Sequence, residues 1–260
     1  MPVLVVHGMP SNSRGGEGVI ERLARDDEVV AVDLPGFNGP APAGWVPIKE
    51  NYVDWLIAQI EALAARGGPV HLVGHDWGCL LTLRAASLRP ELLRTVTAGN
   101  GPIDEHWPYH ALWESWNPSG AGERFMDELL TPDCAERMLR GAGFPDDHAG
   151  RTLWATPEGR QLTLTLYRSA IGIGRQWAPD LARIVIPSLL IWGLRDMIVP
   201  VEIGRRMAAK MGAEVATVDA GHFWPYEQPE AVAELLRRHF ARADAWPETI
   251  LTQRVENMLA

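Results

Sequence analysis

Six short apolar runs alternate with helical patterns along most of the chain. The runs are rich in β-branched residues and closed by turn signals, which is typical of buried strands. They cover residues 3–6, 28–32, 70–73, 93–98, 188–192 and 214–218. Because these runs are continuously apolar and helices lie between them, they predict an α/β fold. Its sheet should be mostly parallel, with helices on both faces.

The helical patterns support this interpretation. The clearest pattern runs from Tyr52 to Ala65, where apolar residues recur on one face and two glycines follow. Another runs from Ala231 to Phe240. The final segment, residues 247–260, has apolar residues at helical spacing. We expect it to pack on the body of the protein, with a dimer contact as the alternative.

Residues 101–183 interrupt the alternation, being rich in Trp, Pro and Gly and helical in pattern without good strands. This predicts a core made of residues 1–100 and 184–260, with residues 101–183 inserted as a helical cap, or lid. Such a cap would cover the carboxyl edge of the sheet, where α/β proteins place their sites. An irregular connection is the alternative interpretation.

The composition narrows the class of partner. The chain has 260 residues, of which 47% are hydrophobic and 22% charged, and this is ordinary for a soluble globular protein. The net charge of −9 and the pI near 5.4 argue against nucleic acid or an anionic membrane as a partner. We therefore expect a small, hydrophobic organic substrate and water as the partners of a monomer or homodimer.

The targeting and cysteine patterns indicate a compartment. No apolar stretch approaches the length of a membrane span, and the N-terminus lacks a charged region followed by an apolar one. Cys79 and Cys134 fit neither a zinc motif nor a disulfide framework. These observations predict a reducing, cytoplasmic setting, with no metal and no organic cofactor.

The candidate chemistry starts at Gly74-His75-Asp76-Trp77-Gly78, which follows an apolar run and precedes a helical pattern. A strand–turn–helix context of this kind exposes the central side chain above the sheet. A serine there needs a base before it attacks acyl carbon, whereas an aspartate is already ionised near neutral pH and can attack a saturated carbon. Asp76 therefore favours epoxide opening or halide displacement. The alternative is that Asp76 only caps the following helix.

Three supports for such a nucleophile have candidates. The backbone N–H groups of Met9, after the first strand, and of Trp77 would form an oxyanion hole. His222, after the last strand, would activate the water that hydrolyses the ester on Asp76. Asp196, at a turn after a buried strand, would orient His222. The other position for this acid, after the strand ending at Ala98, carries the uncharged Asn100.

Together these residues resemble the α/β-hydrolase superfamily, in its aspartate-nucleophile branch of epoxide hydrolases and dehalogenases. The resemblance covers residues 1 to about 242 and is most specific at residues 7–10, 74–78, 193–200 and 221–227. The family usually has two strands before the His-Gly loop, and this chain starts almost at that loop. The resemblance thus implies a sheet that is shorter at one edge or an absent N-terminal piece.

The leaving group separates the two branches. An epoxide oxygen leaves as an alkoxide and needs a proton donor, a task that suits a neutral tyrosine. Epoxide hydrolases typically use two lid tyrosines, and Tyr167 resembles the second of them. Tyr109 is the candidate for the first, although His106 and His110 lie near it in the sequence. The balance favours an epoxide hydrolase.

A haloalkane or haloacid dehalogenase with the same nucleophile is the alternative. Trp77 beside the nucleophile favours it, whereas Met9 stands where many haloalkane dehalogenases have a halide-binding Asn, and Trp77-Gly78 departs from the haloacetate pattern. Because fold alone does not imply activity, a non-catalytic small-molecule binder is a third hypothesis. We also expect His7, Trp113 and Phe223 to contact the substrate.

Overall fold

A computed structural model of the chain describes residues 1–107, 113–129, 131–141, 143–144 and 151–259. All six predicted strands are present: β1 (Val3–Val6), β2 (Val29–Val32), β3 (Val70–His75), β4 (Leu93–Gly99), β5 (Ser188–Gly193) and β6 (Glu214–Val218). They form one sheet in the order β2-β1-β3-β4-β5-β6. Every neighbouring pair is parallel, which confirms the predicted α/β architecture.

The helices follow the strands and fill the segment between β4 and β5. They are α1 (Glu17–Leu23), α2 (Lys49–Gly67), α3 (Trp77–Leu88), α4 (Trp113–Trp116), α5 (Ala121–Arg124), α6 (Pro132–Gly141), α7 (Arg151–Ala155), α8 (Pro157–Ser169), α9 (Ile173–Trp177), α10 (Val201–Met211), α11 (Trp224–Glu227), α12 (Pro229–Asp244) and α13 (Glu248–Leu259). Short 3₁₀-helices lie at Pro90–Leu92 and Ala178–Arg183, and a π-helical turn lies at Phe125–Leu129.

The sheet is covered by helices on both faces. Alternate residues of a strand point to opposite faces, so Leu72 packs with the cluster that includes α2, α3 and α10, whereas Val73 packs with α1 and α12. The strands β3, β4 and β5 are buried along their whole length, while β2 at one edge is only half-buried. This explains why the central strands are apolar without alternation.

The described part of the segment between β4 and β5 consists of helices joined by irregular connections and contains no strand. One anchor to the body of the protein is Lys49, at the start of α2. Its buried amino group donates to the carbonyl oxygen of Ser169 at the end of α8, at 2.7 Å. The division into a core of residues 1–100 and 184–260 and a cap of residues 101–183 stays a prediction.

The lengths and compositions of the helices show whether any of them could cross a membrane. Over the described ranges, none combines the length and apolar character that crossing a bilayer requires. Val255 of α13 is buried against the body of the protein, as expected for the final helical segment.

Candidate active site

Asp76 sits at a sharp turn between β3 and α3. Its backbone has φ 55° and ψ −118°, a conformation that residues other than glycine rarely adopt. The two flanking glycines permit this turn, because a Cβ on Gly74 would lie 2.3 Å from the carbonyl oxygen of Gly78, and one on Gly78 would lie 2.2 Å from that of Val6. Backbone strain of this kind is often held at functional sites.

The Asp76 side chain does not cap α3, so the alternative interpretation of this residue is not supported. Instead, its Oδ2 accepts a hydrogen bond from the backbone N–H of Met9 at 2.6 Å. The register explains the meeting, since β1 and β3 are neighbours and Val6 pairs with Gly74. The N–H of Trp77 lies in the first turn of α3, where helix donors have no intrahelical acceptor. Both candidate oxyanion donors therefore belong to turns beside Asp76.

His222 and Asp196 lie on neighbouring loops, because β5 and β6 are paired. The Nδ1 atom of His222 is 2.9 Å from Oδ2 of Asp196, and its Nε2 atom is 3.4 Å from Oδ1 of Asp76. The side chains are almost fully buried, with exposed fractions of 15% for Asp76, 4% for His222 and 0% for Asp196. The structure thus brings the three side chains together in the order that the sequence predicted.

This arrangement sets the charges of the site. Burial by itself would raise the pKa of Asp76, but hydrogen bonding with His222 and its charge outweigh burial and lower it. Burial likewise opposes the charged form of His222, yet the hydrogen bonds to Asp196 and Asp76 raise its pKa to about 9. The lowered pKa keeps the carboxylate of Asp76 ionised near neutral pH.

Asn100 is part of this site, although the sequence offered it only as an alternative position for the acid. Its Nδ2 donates to Oδ2 of Asp196 at 2.7 Å and to the carbonyl oxygen of His222 at 3.0 Å. Its Oδ1 accepts from the N–H of Gly193 and from Nε1 of Trp224. Asn100 therefore ties the ends of β4 and β5 to the His222 loop.

His75, the last residue of β3, was also missed. Its Nε2 donates to the same carbonyl oxygen of His222 at 2.7 Å. Burial and the neighbouring charge of His222 lower the pKa of His75 to about 4, so it is neutral near pH 7. The one sequence signal was an ionisable residue inside a buried strand, directly before Asp76.

A cavity of about 380 Å³ opens in front of Asp76. Aromatic and sulfur-containing side chains dominate its described lining, together with Asp76 and His222: Met9, Trp77, Trp107, Trp116, Met138, Trp154, Tyr167, Met197 and Phe223. The cavity lies between strand-end loops of the sheet and the helices of residues 113–177. Within the described ranges, no group of three His, Cys, Asp or Glu side chains is placed to hold a metal ion.

Tyr167 reaches this cavity from α8. Its ring meets the rings of Trp77 and Trp116 edge to face, with centroids 5.2 and 4.7 Å apart. Burial and the negative charge of Asp76 raise the pKa of the Tyr167 hydroxyl far above its usual value, and hydrogen bonding with the Trp77 side chain offsets this only in part. Tyr167 is therefore a neutral phenol in the same cavity as Asp76.

The remaining candidates have different outcomes. Phe223 lines the cavity, as expected. His7 does not occur among the described residues of its lining. The Nδ1 atom of His7 lies 2.9 Å from the carbonyl oxygen of Gly8, and its Nε2 accepts from the N–H of Leu34 at 3.0 Å. Both ring nitrogens of His7 are thus engaged by the backbone, and a contact of His7 with the substrate stays a prediction.

Two candidates cannot be assigned a position. Tyr109 lies outside the described residues, and Trp113 starts α4, but its side chain is not among those described. Both stay predictions.

The parallel sheet brings Asp76, His222 and Asp196 together at the carboxyl ends of its strands. Residues 3–235 match the model of the α/β hydrolase family, and the chain belongs to this family. It is of the type that includes haloalkane dehalogenases and epoxide hydrolases.

Three similar proteins illustrate this relationship. The uncharacterized hydrolase YugF of Bacillus subtilis is 27% identical and is matched over 89% of this chain and 87% of its own. Epoxide hydrolase 3 of Xenopus tropicalis is 24% identical over 90% of this chain and 70% of its own. The crystal structure of the haloalkane dehalogenase DbeA from Bradyrhizobium elkani superposes with a TM-score of 0.78 at 23% identity, covering 94% of this chain and 90% of that one.

Proposed function

We propose that the protein is an epoxide hydrolase that forms an ester between Asp76 and its substrate. Oδ2 of Asp76 is held by the Met9 N–H, which leaves Oδ1 to attack the epoxide carbon. The ring oxygen leaves on the other side and takes a proton from Tyr167, with Tyr109 as the second donor. Water activated by His222 then attacks the ester carbonyl, whose oxyanion the N–H groups of Met9 and Trp77 stabilise.

One observation supports the epoxide most strongly: a neutral, half-buried tyrosine lines the same cavity as Asp76. The charge of Asp76 acts directly on the Tyr167 hydroxyl, so the two groups are close. An alkoxide leaving group needs such a donor, whereas a halide needs no proton at all. Because its pKa is raised, the hydroxyl is protonated at neutral pH and can donate a hydrogen bond to the departing oxygen.

The cavity also favours an uncharged substrate. Two carboxylates, Asp76 and Asp104, lie in its wall, and the described lining contains no Lys or Arg. The Asp104 carboxylate forms an ion pair with Arg206, whose Nε lies 2.7 Å from Oδ2 of Asp104. Since the described lining offers a haloacid carboxylate no Lys or Arg to pair with, and His222 already pairs with two carboxylates, haloacids fit the cavity poorly. An apolar or aromatic epoxide fits the lining of rings.

Haloalkane dehalogenation is the second candidate, and the position of Trp77 favours it. Its indole lines the cavity directly beside Asp76, and an indole N–H is a suitable weak donor for a halide. Both candidates share the ester on Asp76 and differ only in the leaving group.

The test uses the His222→Gln variant, which should form the ester but not hydrolyse it. After incubation with styrene oxide, mass spectrometry of the peptide that contains Asp76 should show the mass of one added epoxide. The Asp76→Asn variant is the control and should gain nothing. If wild-type protein converts the epoxide to the diol while the His222→Gln peptide stays unmodified, the ester mechanism is wrong. Halide release from 1-bromobutane without diol formation would favour the dehalogenase instead.

A further inference from the structure

The imidazole of His222 lies between two carboxylates that both act as hydrogen-bond acceptors. Its Nδ1 is 2.9 Å from Asp196 and its Nε2 is 3.4 Å from Asp76. The other partners of these carboxylates are donors as well: the N–H of Met9 on Asp76, and the amide of Asn100 with two backbone N–H groups on Asp196. Both carboxylates are therefore in their ionised form.

A neutral imidazole cannot satisfy this arrangement. It has one N–H and one lone pair, so that one nitrogen would present its lone pair to a carboxylate oxygen. The imidazolium, with an N–H on each nitrogen, satisfies both acceptors. The raised pKa of about 9 for His222 agrees with this geometric argument. The resting site accordingly holds one cation between two anions.

No other described group beside the ring supplies a competing cation. His75, packed against His222 from β3, is neutral because burial and the charge of His222 lower its pKa to about 4. Phe223 also meets the ring and carries no charge. Asn100 contributes only its amide dipole. The charge state of His222 is thus decided by Asp76 and Asp196.

Building on the proposed function, we propose that His222 supplies the proton that the opened epoxide needs and becomes a base only after giving it up. Oδ1 of Asp76 forms the bond to the epoxide carbon while the carbon–oxygen bond of the ring breaks, and its electron pair stays on the oxygen. That oxygen takes the proton of Tyr167, and Tyr167 recovers a proton from Nε2 of His222. The products of this step are a neutral ester, an alcohol and a neutral imidazole.

The ester then keeps the imidazole neutral. Alkylation removes the negative charge of Asp76, so only Asp196 still favours the charged ring. Nε2 now presents a lone pair near the ester carbonyl, where it can accept a proton from the attacking water. The histidine changes from acid to base without exchanging a proton with solvent. A halide leaving group would take no proton, so the same proton would have to pass to solvent.

The charge state is tested without a substrate by nuclear magnetic resonance of the histidine rings in the full-length protein. The His222 signals are those that vanish in His222→Gln. In wild type both ring nitrogens should carry a proton at pH 7. In Asp76→Asn, which imitates the uncharged ester, the midpoint should fall by about one pH unit or more, a tenfold loss of proton affinity. Asp104→Asn, which removes a carboxylate of the same cavity that pairs with Arg206, should shift it much less.

A ring with a single N–H in wild type at pH 7, or a midpoint that Asp76→Asn leaves unchanged, would overturn the proposal. The fate of the proton is measured by stopped flow with a pH indicator in weak buffer at pH 8, using styrene oxide. Wild type should form the ester without proton uptake, whereas His222→Gln should take up one proton for each ester. Uptake of one proton by wild type contradicts the proposal. If no ester forms at all, the proposed function fails, and the titration still decides the charge of His222 by itself.

Discussion

Removing the side chain of Asn100 should destabilise the protein far more than its single uncharged amide suggests. Asn100 is fully buried and makes four hydrogen bonds, two as donor to Asp196 and the His222 carbonyl and two as acceptor from Gly193 and Trp224. Its backbone has φ 54°, a left-handed conformation that asparagine tolerates better than most residues. The variant Asn100→Gly removes the hydrogen bonds and keeps this conformation unstrained.

The size of the effect follows from these contacts. A hydrogen bond to an ionised carboxylate contributes about 1.5–3 kcal/mol, and a neutral one about 0.5–1.5 kcal/mol. The four bonds of Asn100 together therefore give a loss of about 3–5 kcal/mol for Asn100→Gly, allowing for the second donor on the His222 carbonyl. Asn100→Ala should lose about 1 kcal/mol more, because alanine is strained at positive φ. Either loss is a large part of a typical folding stability of about 5–15 kcal/mol.

Urea unfolding followed by tryptophan fluorescence measures both variants. Thr97→Val on the same strand is the matched control, since the buried hydroxyl of Thr97 has no hydrogen-bond partner among the described residues. Replacing an unsatisfied hydroxyl with a methyl group should leave the free energy of unfolding unchanged or raise it. A loss below about 1 kcal/mol for Asn100→Gly, or an equal loss in Thr97→Val, would refute the reasoning.

Three further outcomes are expected. Tyr167→Phe keeps the ring contacts and removes the donor, so single-turnover diol formation should slow by about 10²–10⁴-fold with little change in melting temperature. The pKa of His222 rises from 6.5 to about 9 on folding. Protonation of His222 should therefore add about 3 kcal/mol to the free energy of unfolding below pH 6.5, and this contribution should be lost by pH 9. The decrease in the free energy of unfolding between these pH values, measured with urea, should be smaller in His222→Gln. Gly78→Ala forces a Cβ to 2.2 Å from the carbonyl oxygen of Val6 and should abolish soluble expression, whereas Gly141→Ala should express normally, because its added Cβ meets nothing among the described residues within 4 Å.

The strand-end residues of the site could be predicted because they are tied to features that the sequence displays directly. The apolar runs mark the strands, and parallel strands place all their carboxyl ends at one edge of the sheet. Asp76, Asp196 and His222 each follow such a run, so their proximity follows from the fold. Strand boundaries were less predictable. The β3 pattern predicted an end at Val73, but the strand continues to His75, which pairs with Gly99 of β4.

Hydrogen bonds across loops were not predictable. The sequence shows that Asn100 follows a strand, but not that its amide reaches Asp196 and the His222 loop together. The same holds for His7. Its Nε2 accepts a hydrogen bond from the Leu34 N–H, and this bond depends on how two loops approach each other. Each of these bonds links residues from different turns, and their side-chain orientations are set by packing rather than by position along the chain.

The two walls of the cavity, one at the strand ends and one in the helical segment, therefore differ in which side chains can be replaced. The groups proposed to form and hydrolyse the ester stand on strand ends, where Asp76 and His222 are held by backbone turns and buried hydrogen bonds. The facing wall, with Trp116, Trp154 and Tyr167, is built from ring contacts between helices. Because Trp116 and Trp154 belong to helices outside the sheet, their replacement should change the shape of the cavity while leaving Asp76 in place. Tyr167 is the exception, because it belongs to the variable wall and yet supplies the proposed proton. The identity of the leaving group therefore depends on both sides of the cavity, because the proposed proton donor Tyr167 belongs to the helical wall, whereas the alternative halide donor Trp77 begins α3 beside Asp76.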